Sequence, residues 1–106
     1  MITFTFAAFG NDVMKEGHAP GKWTHDLDAA IKYAKANKKH ILLNFTGSDW
    51  CGWCKLMDKQ VFHQDAWKAY ATKNLAMVYL DFPRNQSLVP QKFVTRNNDL
   101  KAKYNV

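Results

Sequence analysis

The segment "HILLNFTGSDWCGWCKLM" (residues 40–57) places two cysteines shortly after an apolar run. The run, residues 40–45, is nearly continuous and comes directly after a segment with helical spacing. This is typical of a buried strand in a parallel sheet. Gly47 and Ser48 end that strand, and helical spacing begins again near Cys51. The segment therefore predicts a strand, a tight loop and a helix, with a Cys-x-x-Cys pair where the helix starts.

The rest of the chain alternates helix and strand around this segment. Thr24 is predicted to cap a first helix, with Asp26 and Asp28 in its first turn. Its apolar positions recur at spacings of three and four: Leu27, Ala30, Ile31 and Ala34. Helical spacing returns after Phe62, residues 76–82 form a second strand, and Pro90 starts a last helix. This order predicts an α/β fold with parallel central strands flanked by helices.

The 106 residues are enough for one domain, and a hydrophobic content of 47% argues against a disordered chain. Residues 1–10 carry no charged side chain and end in small residues, which favours an export-signal remnant over the alternative, a β-strand. Residues 11–22 are polar, with two glycines and a proline, and are interpreted as a linker or irregular lead-in. The folded domain is therefore predicted to span residues 23–106.

The net charge of +6 is spread along the chain in single lysines and short pairs. Proteins that bind nucleic acids usually concentrate their basic residues on one stripe beside a recognisable motif, and this chain has neither. The charge is interpreted as a solvated basic surface that at most attracts acidic partners. No stretch approaches the ~20 apolar residues that span a membrane.

The cysteine pair, which comprises both cysteines of the chain, permits three interpretations. The first interpretation is reversible disulfide exchange, which fits best. Unpaired N–H groups at a helix start favour the thiolate of Cys51, and Cys54, one turn later, can close a disulfide with it. A structural zinc site needs four ligands, but there is no second Cys-x-x-Cys and no His-x-x-x-His, so two histidines would have to join the pair in space. Lys55 stands where haem attachment needs histidine. An inert bridge stays open, although so short a loop stabilises little.

With these elements in place, the chain resembles the thioredoxin superfamily. The resemblance covers residues 23–106 and rests on Trp23 and on three segments. These are "KKHILLNFTGSDWCGWCKLMDKQVF" (residues 38–62), "VYLDFP" (residues 78–83) and "LKAKYNV" (residues 100–106). Within the superfamily, the chain is similar to bacterial exported proteins of the thiol:disulfide interchange and disulfide-isomerase-like type.

The resemblance implies a thiol–disulfide oxidoreductase that acts on cysteine pairs of other proteins without a cofactor or metal. Cys51 is expected to attack a substrate disulfide, and Cys54 to resolve the mixed disulfide. The residues expected to support the pair are Trp50, Gly52, Trp53, Lys55 and Asp49. Trp50 should pack beside the cysteines, whereas Trp53 either covers the helix start or contacts the partner chain. The dipeptide between the cysteines helps to set the redox potential.

The same resemblance implies a redox partner that recycles the dithiol, and the direction of exchange stays open. An export signal would place the protein in the periplasm or another exported location, and without one it would be cytoplasmic. The rival interpretation is a non-catalytic module of the same fold that binds proteins or zinc.

The sequence departs from the family pattern at three places. The family carries a buried acid in the strand before the motif, where this chain has Asn44, and the lysine that often pairs with it falls near Met77. Asp49 is interpreted first as a cap of the second helix and only second as a substitute acid. The family continues with a cis-proline loop, a hairpin and a helix, which are not found before Val106. The sequence is therefore expected to be truncated and its fold marginal.

Overall fold

The computed structural model describes residues 13–106. The predicted export-signal remnant, residues 1–10, lies outside them. The strands are β1 (Trp23–Thr24), β2 (His40–Thr46) and β3 (Leu75–Asp81). The helices are α1 (Leu27–Asn37), α2 (Gly52–Met57), α3 (Asp65–Asn74) and α4 (Gln91–Lys103). A π-helical turn (Asp58–Phe62) continues α2, and a short 3-10 helix (Gln86–Leu88) precedes α4.

The strands form one parallel sheet in the order β1-β3-β2. Strand β3 lies in the middle, and six of its seven residues, 76–81, are buried, as expected of a parallel strand covered on both faces. The predicted parallel α/β fold is confirmed, with both predicted strands within one residue of their observed ends. The predicted burial of β2 is wrong, because β2 lies at an edge of the described sheet, where residues 40–41 are exposed and residues 42–45 are partly exposed. The sequence patterns did not reveal β1, because two residues are too few to show a period.

The core lies between α1 and β3. Ala30 and Ala34 of α1 pack against Ala76, Val78 and Leu80, and all five side chains are buried. The small alanine side chains let the helix approach the central strand closely. Because α1 connects β1 to β2 across this face, its packing holds the outer strands at either side of β3.

The start of α1 differs from the prediction, because Asp26 caps the helix and Thr24 belongs to β1. The Asp26 carboxylate accepts hydrogen bonds from the N–H groups of Ala29, at 3.0 Å, and Gly17, at 2.9 Å. Thr24 is fully buried, and its hydroxyl donates to the Gly17 carbonyl at 2.6 Å. Met14 pairs with Thr24 in a parallel bridge. The lead-in is therefore irregular but is held against the sheet.

His25, between β1 and α1, is a buried histidine with 3% exposure. Its ring stacks on Phe93 and meets Tyr79 edge-on, with centroid distances of 6.1 and 5.9 Å. Burial lowers the pKa of His25 by disfavouring the charged ring, and Arg96 acts in the same direction, although Asp81 opposes them. The fold therefore favours the neutral imidazole.

We expect the free energy of unfolding to fall as the pH drops below about 6.5, the ordinary pKa of histidine. Below that pH, His25 binds a proton in the unfolded chain but not in the folded chain. The loss of stability ends below the lowered pKa that His25 has in the folded state. The slope is at most about 1.4 kcal/mol per pH unit for one histidine. Urea unfolding between about pH 5 and 7.5 measures it. The His25→Phe variant should lose the part of this slope that His25 contributes, while His18, whose pKa burial also lowers, keeps its own part. An unchanged slope would contradict the assignment.

Candidate active site

The loop that joins β2 to α2 is fastened to the carboxyl end of β3. The backbone N–H and the hydroxyl of Ser48 donate to the Asp81 carboxylate at 2.8 and 2.5 Å. The indole Nε1–H of Trp50 donates to the Phe82 carbonyl at 2.6 Å. These bonds join positions more than thirty residues apart along the chain. They hold the loop, and so the first cysteine, in one place relative to the sheet.

Asp49 strengthens the same attachment and does not cap α2. Its two carboxylate oxygens accept the N–H groups of Arg84 and Asn85 at 2.8 and 2.9 Å. These two hydrogen bonds lower the pKa of Asp49, and the bond from Asn85 contributes most. The carboxylate is therefore charged at neutral pH. The prediction that Asp49 caps α2 is therefore wrong. The loop places Cys51 at the cap position, and Asp49 bonds to the segment after β3 instead.

Cys51 is the N-cap residue of α2, as the position of the pair at a helix start predicted. Its Sγ accepts the N–H of Cys54 at 3.1 Å, and the two sulfurs form a disulfide with a Cα–Cα distance of 5.2 Å. Both cysteines are partly exposed. A hydrogen bond donated to a sulfur stabilises its thiolate, which is the form that attacks disulfides. One backbone therefore accommodates the bridge and favours a reactive Cys51 once the bridge is reduced.

Trp50 lies directly against Gly47 in the loop. A Cβ atom built on Gly47 would overlap the indole ring, so only glycine permits this close approach. The indole is 48% exposed, and its inner edge is held by the bond to Phe82. Trp50 therefore lies beside the cysteines as predicted, and its position depends on Gly47.

Gly47→Ala should displace the Trp50 indole and break its bond to the Phe82 carbonyl. We expect a loss of about 1–3 kcal/mol in the free energy of unfolding, the usual effect of overpacking, together with a changed tryptophan emission. Gly52→Ala is the matched control, because a Cβ there meets no atom of the described residues within 4 Å. Equal stability of the two variants in urea unfolding would contradict this packing.

The surface around the cysteines is apolar and exposed. We define the apolar surface as Trp50, Trp53, Leu56 and Met57, four large side chains that are each at least 40% exposed. Trp53 is the extreme case, with 82% of its surface exposed. Gly52 is exposed beside it, and Lys55 is partly exposed on the next turn. All the predicted supporting residues except Asp49 thus lie on α2 or border its first turn.

A small polar cavity lies between Cys54 and the sheet, and Asn44 is part of its wall. The strand register places Tyr79 beside Asn44, whereas Met77 pairs with Leu42 and is buried. The residue beside Asn44 in the sheet is therefore a tyrosine, and the position expected to correspond to the family lysine lies two residues earlier on β3.

Asp58 is the acidic residue of this cavity that the sequence patterns did not reveal. Its side chain is 16% exposed, and it follows Cys54 by four residues, so the two side chains share one face of the helical segment. The i, i+4 spacing was a usable signal. It was missed because the family pattern directs attention to the strand before the motif and not to the helix after it.

Two further properties concern the described residues only. Within residues 13–106, no three side chains of histidine, cysteine, aspartate or glutamate are grouped so that they could hold a metal ion. In the same part of the chain, no helix has the length and apolar character needed to cross a membrane.

Residues 22–100 match a model of the family described as thioredoxin-like. A curated relative, the disulfide bond reductase DsbH of Chlamydia pneumoniae, is 40% identical over 77 residues, which are 73% of this chain and 46% of the relative. A solved structure of a DsbH oxidoreductase aligns with a TM-score of 0.70 and 39% identity, over 74% of this chain and 54% of the other. The chain thus spans about half the length of these relatives.

Proposed function

The chain belongs to the thioredoxin-like family, and on that premise we propose that it is a thiol–disulfide oxidoreductase that acts on disulfides of other proteins. One observation carries the proposal: Cys51 and Cys54 are within disulfide distance at the start of a helix, and both are partly exposed. The 40% identical relative is named a disulfide bond reductase, which favours reduction of the substrate as the direction.

In this mechanism the Cys51 thiolate attacks one sulfur of a substrate disulfide. A Cys51–substrate bond forms, and the other substrate sulfur leaves with the electron pair and takes up a proton. Cys54 then loses its proton and attacks the Cys51 sulfur, so that the Cys51–Cys54 bond forms and the second substrate sulfur leaves. The substrate gains two electrons and two protons. A redox partner with a reduced dithiol must return the electrons to the chain.

The geometry suits both steps. The Cys54 N–H that donates to the Cys51 sulfur stabilises the attacking thiolate. The Cα–Cα distance of 5.2 Å lets the bridge close without backbone movement. The bonds from Ser48 and Trp50 to the segment after β3 keep the loop in place while a substrate binds.

We propose that the apolar surface binds the segments that flank a substrate cysteine. Trp53→Ala should then raise the KM for a protein disulfide about three- to tenfold, while the KM for oxidised glutathione changes little. Its free energy of unfolding should stay within ~0.5 kcal/mol, since Trp53 is 82% exposed. Tyr70→Ala removes another exposed aromatic side chain, 56% exposed and on α3, and serves as the control. Equal KM values for the two variants would contradict this role.

Reduction of insulin disulfides by dithiothreitol tests the proposed function. The wild-type chain should accelerate the reaction above the rate with dithiothreitol alone, and the double variant Cys51→Ser, Cys54→Ser should not. A folded wild-type chain that gives no acceleration would overturn the proposal in favour of a non-catalytic binding module.

The proposed location is the periplasm or another exported compartment. It depends on residues 1–10, which lie outside the described residues. A disulfide reductase in such an oxidising compartment needs a dedicated electron donor. Fractionation of cells that express the natural gene, with detection of the protein in each fraction, tests this location.

A further inference from the structure

Cys54 forms part of the wall of a cavity of about 10 Å³ between the helical segment and strands β2 and β3. The strand side of the wall comprises Asn44, Thr46 and Tyr79, and the helix side includes Asp58. A cavity of this volume is at the lower limit for one water molecule, and its polar lining can hydrogen-bond that water. Cys54 and Asp58 therefore border the same small polar space.

Among the described residues that line this space, Asp58 is the one with a carboxylate side chain. Tyr79 cannot accept a proton there as a phenolate at neutral pH, because burial, aided by the charges of Asp81 and Asp58, raises its pKa. Asn44 carries an amide, which is not a base. Lys55, also in the lining, carries an ammonium group, which donates hydrogen bonds and does not accept them. Asp58 is thus the base that the lining provides.

The π-helical turn after α2 gives Asp58 a route to solvent. The backbone N–H of His63 donates to the Asp58 carbonyl at 2.8 Å, and His63 Nε2 lies 3.5 Å from Asp58 Oδ2. In a regular α-helix, residues five apart point about 140° away from each other around the axis. The π-turn, with its i to i+5 bonding, brings them together. The His63 side chain is 37% exposed, so it joins the enclosed carboxylate to water.

We propose that Asp58 accepts the proton of Cys54 when the mixed disulfide is resolved, in place of the strand acid that is Asn44 in this chain. The inference rests on the proposed function. The Cys54 thiol gives its proton to the Asp58 carboxylate, directly or through one water, and the thiolate attacks the Cys51 sulfur. The Cys51–substrate bond breaks, and its electron pair leaves on the substrate sulfur. Asp58 then passes the proton to solvent along His63.

The first test is the pH dependence of the resolution step. The reduced chain is mixed with rising concentrations of a peptide disulfide, and the rate of thiol release is measured. The rate at which this release becomes independent of peptide concentration is the rate of resolution. Asp58→Asn should lower this limit at least about tenfold at pH 7, and the difference should vanish well above the ordinary thiol pKa of about 8.5. Asp58→Glu should restore most of the rate. Asp99→Asn, at an exposed position on α4, is the matched control and should match the wild type.

The second test separates a proton acceptor from a residue that only supports the helix. In the Cys51→Ser chain, the absorbance of the Cys54 thiolate is followed against pH with and without Asp58→Asn. The groups around Asp58 that also carry or bind protons are Lys55, His63, Tyr79 and Asp81. Loss of the Asp58 charge should move the titration midpoint of Cys54 to lower pH, since a nearby negative charge disfavours the thiolate.

A thiolate that forms more readily but resolves the mixed disulfide more slowly is the result expected of a lost proton acceptor. An unchanged resolution rate, or an unchanged Cys54 titration, would overturn the proposal for Asp58. If the wild-type chain forms no mixed disulfide, the proposed function fails. In that case the titration in the Cys51→Ser chain still decides whether Asp58 acts on Cys54.

Discussion

Cys54→Ser should stop turnover and leave the chain covalently attached to its substrate. Cys51 remains able to attack, but the second thiol that releases the substrate is gone. The release rate should fall at least about a thousandfold, because an intramolecular thiol in fixed geometry acts at effective molarities far above those of thiols in solution. Non-reducing electrophoresis and intact-mass measurement should show one substrate per chain.

Cys51→Ser is the matched control for this trap. It keeps Cys54, which lines the polar cavity whereas Cys51 does not, so it should form little adduct and give no turnover. Equal adduct from the two single variants would contradict the assignment of Cys51 as the attacking residue. Adduct from Cys51→Ser alone would reverse the two roles.

Asp81→Ala should give the largest loss of stability among the substitutions considered. The Asp81 side chain is 5% exposed, and its two oxygens accept the N–H and the hydroxyl of Ser48. Removal of the carboxylate leaves a partly buried N–H without its partner and frees the loop from the sheet. Hydrogen bonds to charged groups contribute about 1.5–3 kcal/mol each, and water that enters the site can replace part of this. We therefore expect the free energy of unfolding to fall by about 2–4 kcal/mol.

Ser48→Ala separates the two bonds to Asp81, because it removes the hydroxyl and keeps the backbone N–H. Its expected loss is about 1 kcal/mol, clearly smaller than that of Asp81→Ala. Urea unfolding of the two variants and the wild type measures both values. An Asp81→Ala variant within ~0.5 kcal/mol of the wild type would show that this attachment contributes little to the fold.

The parts of the structure that depend on local patterns were predictable from the sequence. Strands β2 and β3 are nearly continuous apolar runs, which are typical of parallel strands. The run in β3 is buried along residues 76–81, whereas β2 lies at the edge of the described sheet and is mostly partly exposed. The loop residues after β2 and the helical spacing after Cys51 placed the cysteine pair at a helix start, as observed. Local hydrophobic pattern is therefore enough to locate these elements, although it did not show that β2 lies at the sheet edge.

The parts that depend on distant partners were not predictable. Asp49 bonds to backbone N–H groups about 35 residues away, and no local pattern distinguishes this from a helix cap. Threonine is common at helix caps, which favours that role for Thr24, but the pairing of β1 with β3 takes it into the sheet. The role proposed for Asp58 depends on a cavity between helix and sheet, and such a space is defined only once both are assembled.

The central claim is that Cys51 and Cys54 together pass two electrons to a protein disulfide. The most direct measurement is a single turnover followed by mass spectrometry of both molecules. The fully reduced chain is mixed with one equivalent of a peptide that contains one disulfide, and the products are trapped with acid. The account predicts that the chain loses the mass of two hydrogens, with the new bond mapped to Cys51–Cys54, while the peptide gains the same mass in equal amount. A folded, fully reduced chain that leaves the peptide disulfide intact would contradict it.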